Sequence, residues 1–111
     1  MAVPLVDAGL LADLPTDRGV VVRAGGYTVA VFRVGDEARA VDNRCLHTGG
    51  PLADGWVVDG CVVCPWHGWV YDLGTGERVV GARTSGHLST YPVTVESHGR
   101  VKVQIPDEVR G

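Results

Sequence analysis

The sequence predicts an all-β fold, and three observations predict it. Sixteen of the 111 residues are glycine, spread along the chain rather than gathered in one tract. The apolar residues come in short valine-rich runs, several alternating with Thr, Lys or Gln as a half-buried strand requires. Only Ala8 to Leu14 has a helical look, and Pro15 would end it.

The elements follow in order. Val20-Val21-Val22-Arg23 and the run Tyr27 to Val34 flank Gly25-Gly26, a two-residue hairpin signal. Gly35-Asp36 turns the chain again into Ala38-Arg39-Ala40-Val41. Val62 and Val63 read as a strand running into Cys64. Toward the other end, Pro92-Val93-Thr94-Val95 and the run Val101 to Ile105 flank His98-Gly99 in another hairpin. The expected architecture is a base of antiparallel strands from about residues 1–43 and 82–107. An inserted lobe, about 44–81, sits between them.

Length and charge exclude several roles. A chain of 111 residues makes one domain, 1–111, burying about 60–70% of its unfolded surface. A net charge of −3 and a single lysine, Lys102, argue against a nucleic-acid surface. The stretch Met1 to Leu14 contains Asp7 and Asp13 and no basic region, unlike a signal peptide. No apolar run approaches the ~20 residues of a membrane span. Three cysteines cannot all pair, which suits a reducing compartment, and a cytoplasmic location is expected. No Ser–His–Asp set, phosphate-cradling loop or paired carboxylates stand out, so no catalytic residues are assigned.

Two short clusters carry the chemistry. Cys45-Leu46-His47 is followed, after sixteen residues, by Cys64-Pro65-Trp66-His67. Each offers one thiolate and one imidazole. Two sulfurs with two nitrogens suit zinc or iron–sulfur chemistry, and spacing alone does not separate them. Structural zinc sites usually pair Cys with Cys and His with His, whereas each pair here mixes the two. Cys61 forms a C-x-x-C with Cys64, but strand alternation would point it away from the cluster, as a small buried hydrophobe. His98, in Ser97-His98-Gly99, is expected in solvent. His87 falls outside both clusters. Gly49, Gly50 and Gly68 flank the ligands, where backbone must come close to sulfur and metal.

These residues resemble the Rieske iron–sulfur proteins, in which two histidines replace two cysteines on one iron of a [2Fe–2S] cluster. Cys45-Leu46-His47-Thr48-Gly49-Gly50-Pro51-Leu52 is similar to the first Rieske loop, and Cys64-Pro65-Trp66-His67-Gly68-Trp69 to the second. Tyr71-Asp72-Leu73-Gly74-Thr75-Gly76-Glu77 and Thr90-Tyr91-Pro92-Val93 extend the likeness from Gly19 to about Ile105. The resemblance implies a Rieske-like antiparallel β-sandwich base with a cluster-binding lobe. It also implies that Cys45 and Cys64 hold one iron, and His47 and His67 the other. Leu46, Pro65 and Trp66 would then shield the cluster from water.

High-potential relatives join the loops by a disulfide. The matching positions here are Gly50 and Trp66, so that bridge cannot form, and Trp69 stands where those relatives carry serine. Tyr71 is expected to raise an otherwise low potential modestly. Many relatives also cover the cluster with a proline-rich loop, whereas Val80 to His87 contains no proline. The function implied is one-electron transfer as a soluble ferredoxin component of an oxygenase system, with a reductase and an oxygenase as partners. A second reading is the small subunit of an assimilatory NAD(P)H nitrite reductase, with the large subunit as partner. Val29 to Val34 and Ala40-Val41-Asp42-Asn43 support that likeness. A zinc-stabilised binding module is the third.

Overall fold

The structure, a computed structural model, describes residues 5–46, 49–66, 68–79 and 87–105. Its strands are β1 (Leu5–Leu10), β2 (Val20–Ala24), β3 (Tyr27–Val34), β4 (Glu37–Asp42) and β5 (Trp56–Val58). They continue with β6 (Cys61–Val63), β7 (Val70–Asp72), β8 (Thr90–Tyr91), β9 (Val93–Val95) and β10 (Arg100–Gln104). They make three sheets, in the orders β1-β10-β9, β2-β3-β4-β8 and β5-β6-β7. Every strand pairing is antiparallel, as expected of an all-β chain built from hairpins.

The three expected turns are present. Ala24 pairs with Tyr27 across Gly25 and Gly26, whose φ angles of 57° and 84° open the tight turn that L side chains resist. Val34 pairs with Glu37 across Gly35-Asp36. Val95 pairs with Val101 beyond the turn that contains His98, and His98 is exposed.

One expectation fails. Ala8 to Leu14 is not a helix: β1 runs to Leu10, and only Leu11–Asp13 makes a single 3-10 turn. A seven-residue helix gains too little to nucleate alone. β1 instead pairs with β10 over Leu5, Val6 and Asp7. Gly9, at φ 92°, then lets the register slip before Leu10 meets Arg100. The Asp7 carboxylate accepts the Gly9 N–H at 2.7 Å and pairs with Arg100 at 2.9 Å, fastening that bulge.

The middle sheet is buried on both faces. Val29, Ala30, Val31 and Phe32 are all fully buried, so β3 is a continuous apolar run rather than an alternating one. On one face, Val29, Val31, Ala38 and Ala40 pack with Val101, Val103 and Ile105, joining the first sheet to the second as a sandwich. On the other, Ala30, Phe32 and Val41 pack with Leu52, Val62 and Tyr71, so the third sheet lies over the second. The chain crosses from the second sheet to the first at Pro92, between β8 and β9. There a missing N–H costs no ladder bond, and the Pro92 carbonyl accepts from Gln104 at 2.9 Å.

Candidate metal centre

Cys45 and Cys64 open two loops with the same backbone closure. The Cys45 N–H donates to the Gly50 carbonyl at 2.9 Å, and the Cys45 carbonyl accepts from Gly49 at 2.8 Å. The Cys64 N–H donates to the Trp69 carbonyl at 2.7 Å, and the Cys64 carbonyl accepts from Gly68 at 3.1 Å. In both loops the glycine four residues on has positive φ, 74° at Gly49 and 75° at Gly68. Only a residue without Cβ enters that conformation at little cost, which explains glycine at both places. The equal spacing in the sequence is the signal that reveals this match. That the Gly50 and Trp69 carbonyls close the loops was not legible there.

Each loop hangs from a rigid support. The first follows β4, where the Asn43 side-chain oxygen accepts the Ala53 N–H at 2.7 Å and the Asn43 N–H donates to Thr28 at 3.0 Å. The second leaves β6 and returns as β7. Gly55 lets the two approach, since a Cβ there would lie 2.1 Å from the Val63 carbonyl oxygen.

Both cysteines are buried, at 1% and 0% exposure, within one apolar cluster that also contains Tyr71. The Tyr71 hydroxyl lies 3.3 Å from Cys45 Sγ and accepts the Leu46 N–H at 3.1 Å. Accepting from that amide leaves the phenol's own proton free to donate to a Cys45 thiolate. Burial above all pushes the Tyr71 pKa far above its usual value, and the hydrogen bond to Cys45 adds to the rise. Negative charge on Cys45 and on Cys64 raises it further, so both sulfurs bear on one hydroxyl, while the Leu46 amide opposes the shift. The phenol therefore keeps its proton. Its ring also packs in the core, so the packing and hydrogen-bonding roles coexist.

His47 and His67 lie outside the described residues. So does the segment 80–86, which holds most of the proline-free stretch. His87 is exposed and pairs with Glu77 across an antiparallel bridge. Leu46 and Trp66 are 48% and 57% exposed, and Pro65 is half-buried, so two of the three expected shielding residues stand out into solvent. Cys61 does lie on the opposite strand face from Val62 and Cys64, but it is half-buried rather than buried. Trp56 and Val58, on the same outer face of the sheet, are 58% and 54% exposed, so that face is open among the described residues. Partial burial first, then Asp72 and Asp59, push the Cys61 thiol up, away from a reactive thiolate.

Two sulfur side chains, shielded from water and served by a hydroxyl donor, fit the thiolate half of an iron–sulfur site. A model of the Rieske [2Fe-2S] domain matches residues 5–92. The chain belongs to the Rieske family. This Rieske protein is 34% identical to the anthranilate 1,2-dioxygenase ferredoxin subunit of Burkholderia cepacia, over 87% of this chain and 88% of that one. Among solved structures it resembles the Sphingomonas yanoikuyae B1 ferredoxin, with TM-score 0.80 and 29% identity, over 93% of this chain and 100% of that one. It also resembles a Mycobacterium tuberculosis protein designated an NADH-dependent nitrite reductase small subunit. There the TM-score is 0.81 and the identity 27%, over 93% of this chain and 96% of that one. The cofactor of the family is the Rieske [2Fe–2S] cluster. Among the described residues, no helix is long and apolar enough to cross a membrane.

Proposed function

We propose that this protein is the ferredoxin component of an oxygenase system, accepting electrons from a reductase and delivering them to the oxygenase. The observation that carries this reading is the matched pair of loops that bring Cys45 and Cys64 into one buried cluster beside Tyr71. In the proposed ligand set, Cys45 and Cys64 hold one iron, and His47 and His67 the other. Bound there, the cluster takes up and releases one electron at a time.

The chain's own residues do the rest. The two loop closures fix the direction of each cysteine, and the apolar cluster keeps water from the sulfurs. Tyr71 donates to Cys45 Sγ, favouring extra negative charge on the site. Leu46 and Trp66, exposed beside the cysteines, form the apolar rim to which a partner docks. We read residues 1–111 as one unit, with the third sheet and both loops as its cluster lobe. We place the protein in the cytoplasm, where thiolate ligands stay reduced.

Ferredoxin subunits and components of dioxygenase systems match at 30–34% identity, against 27% for the nitrite reductase small subunit, and this favours the ferredoxin reading. The deciding test is anaerobic purification with iron and sulfide analysis, a visible spectrum and electron paramagnetic resonance after dithionite reduction. About two irons and two sulfides per chain are expected. Colourless protein binding a single zinc ion would overturn the assignment. Stable co-purification with a large siroheme protein would instead make it a nitrite reductase subunit.

A further inference from the structure

The loop closure at Cys64 depends on Trp69, and Trp69 has a neighbour that the electron-transfer reading leaves unused. The Arg78 guanidinium carbon lies 3.1 Å from the centroid of the Trp69 ring. Arg78 stands opposite Tyr71 in an antiparallel bridge, so both side chains leave the same, inward face of the lobe. The next residue is tied down, since the Val79 N–H donates to the Val70 carbonyl at 2.8 Å. Trp69 itself packs against the core that contains Cys45 and Cys64, and its carbonyl holds the Cys64 N–H.

Arg78 occupies this place at a cost. Its Nε is buried with no hydrogen-bond partner among the described residues, and an unpaired buried N–H is unfavourable. A leucine or methionine could cover Trp69 without it. What arginine adds is a permanent charge with a flat face, and the indole is the ring that attracts such a face best.

We propose that Arg78 is a positioning residue for the electron-transfer site. Stacked on Trp69, it holds the Cys64 loop closed and sets a fixed positive charge on the inward face of the lobe, favouring the reduced state. This rests on the Rieske electron-carrier reading above.

The test uses the full chain with its cluster as the parent protein, Arg78→Met and Arg78→Lys. Iron and sulfide content, midpoint potential by voltammetry and the rate of bleaching by a chelator are measured alongside thermal stability. Arg78→Met is expected to weaken electron affinity several-fold, up to tenfold, which is a midpoint about 59 mV lower. It should also bleach several-fold faster. Arg78→Lys keeps the charge without the flat face, so its midpoint should recover most of the way while its bleaching stays fast. Parent midpoints and parent bleaching rates in both variants, or a loss of thermal stability alone, would overturn the proposal. If Arg78→Met fails to fold, the bleaching rate of Arg78→Lys decides. A parent chain without iron and sulfide sinks the carrier reading and this one together. A loaded parent with unmoved variants sinks only this one.

Discussion

Tyr71 concentrates three demands in one side chain: it fills the core under the lobe, accepts the Leu46 amide and shares a hydrogen bond with Cys45 Sγ. Tyr71→Phe keeps the ring and removes only the hydroxyl. A single hydrogen bond is worth about 0.5–1.5 kcal/mol net, which at 59 mV per tenfold is about 20–65 mV. The midpoint of Tyr71→Phe should fall by that much, with the visible spectrum retained; an unmoved midpoint removes the hydroxyl from the account. Gly55 makes the opposite kind of demand, for space alone, because its backbone conformation is ordinary. Gly55→Ala would push a Cβ into the Val63 carbonyl and should cost about 1–3 kcal/mol in denaturant unfolding. At this scale the sequence singled out Cys45, Cys64 and Tyr71, and the structure gathers the three into one buried cluster. Trp69 and Arg78 as a stacked pair were invisible, because eight residues of chain separate them and only the turn after β7 brings them together.

Among the elements, β4 and β8 share only two paired positions, and a side-chain bond reinforces them. The Tyr91 hydroxyl donates to the Asp42 carboxylate, while the Tyr91 ring meets Tyr27 edge-on at 6.1 Å. Burial first, and then that hydrogen bond, raise the Tyr91 pKa. The folded state therefore holds the phenol proton more tightly than the unfolded chain. This contribution is complete below the unfolded value of about 10 and is lost as pH rises above it. Tyr71 acts in the same sense. Stability should thus fall as pH rises above about 10, and Tyr91→Phe should flatten that fall while lowering stability at pH 8. An equal alkaline slope in the variant would count against Tyr91.

The Ala8 to Leu14 misreading belongs to this scale too. Its apolar spacing was real, but β10 offered a strand partner that no local pattern announces. The β2–β3 and β9–β10 hairpins were legible because glycine turns and alternation are local signals. The double burial of β3 was not, because it depends on which sheets close over it.

At the scale of the whole molecule, the described residues form three layers sharing one middle sheet, with two separate cores. The core between the first and second sheets contains no cysteine, whereas the core under the lobe contains both. Removing the cluster should therefore act unevenly. Amides of β5, β6 and β7 should lose hydrogen-exchange protection first, while β3 and β10 keep theirs. The thermal midpoint should drop by more than about 10 °C, since bound metal contributes several kcal/mol and each is worth about 4–8 °C in so small a domain. Uniform loss of protection across all three sheets would contradict the two-core picture.

By itself the sequence determined the strand-rich class, the main hairpins and the family. Those features rest on near neighbours in the chain: alternation, glycine turns and two compact motifs. Only the tertiary structure decided that β1 is a strand, that β3 is buried twice and that both cysteine loops close in the same way. It also decided that Tyr71 reaches sulfur and that Arg78 lies on Trp69. Such facts depend on packing between residues far apart in the chain, and buried surface is shared between layers that no local pattern contains.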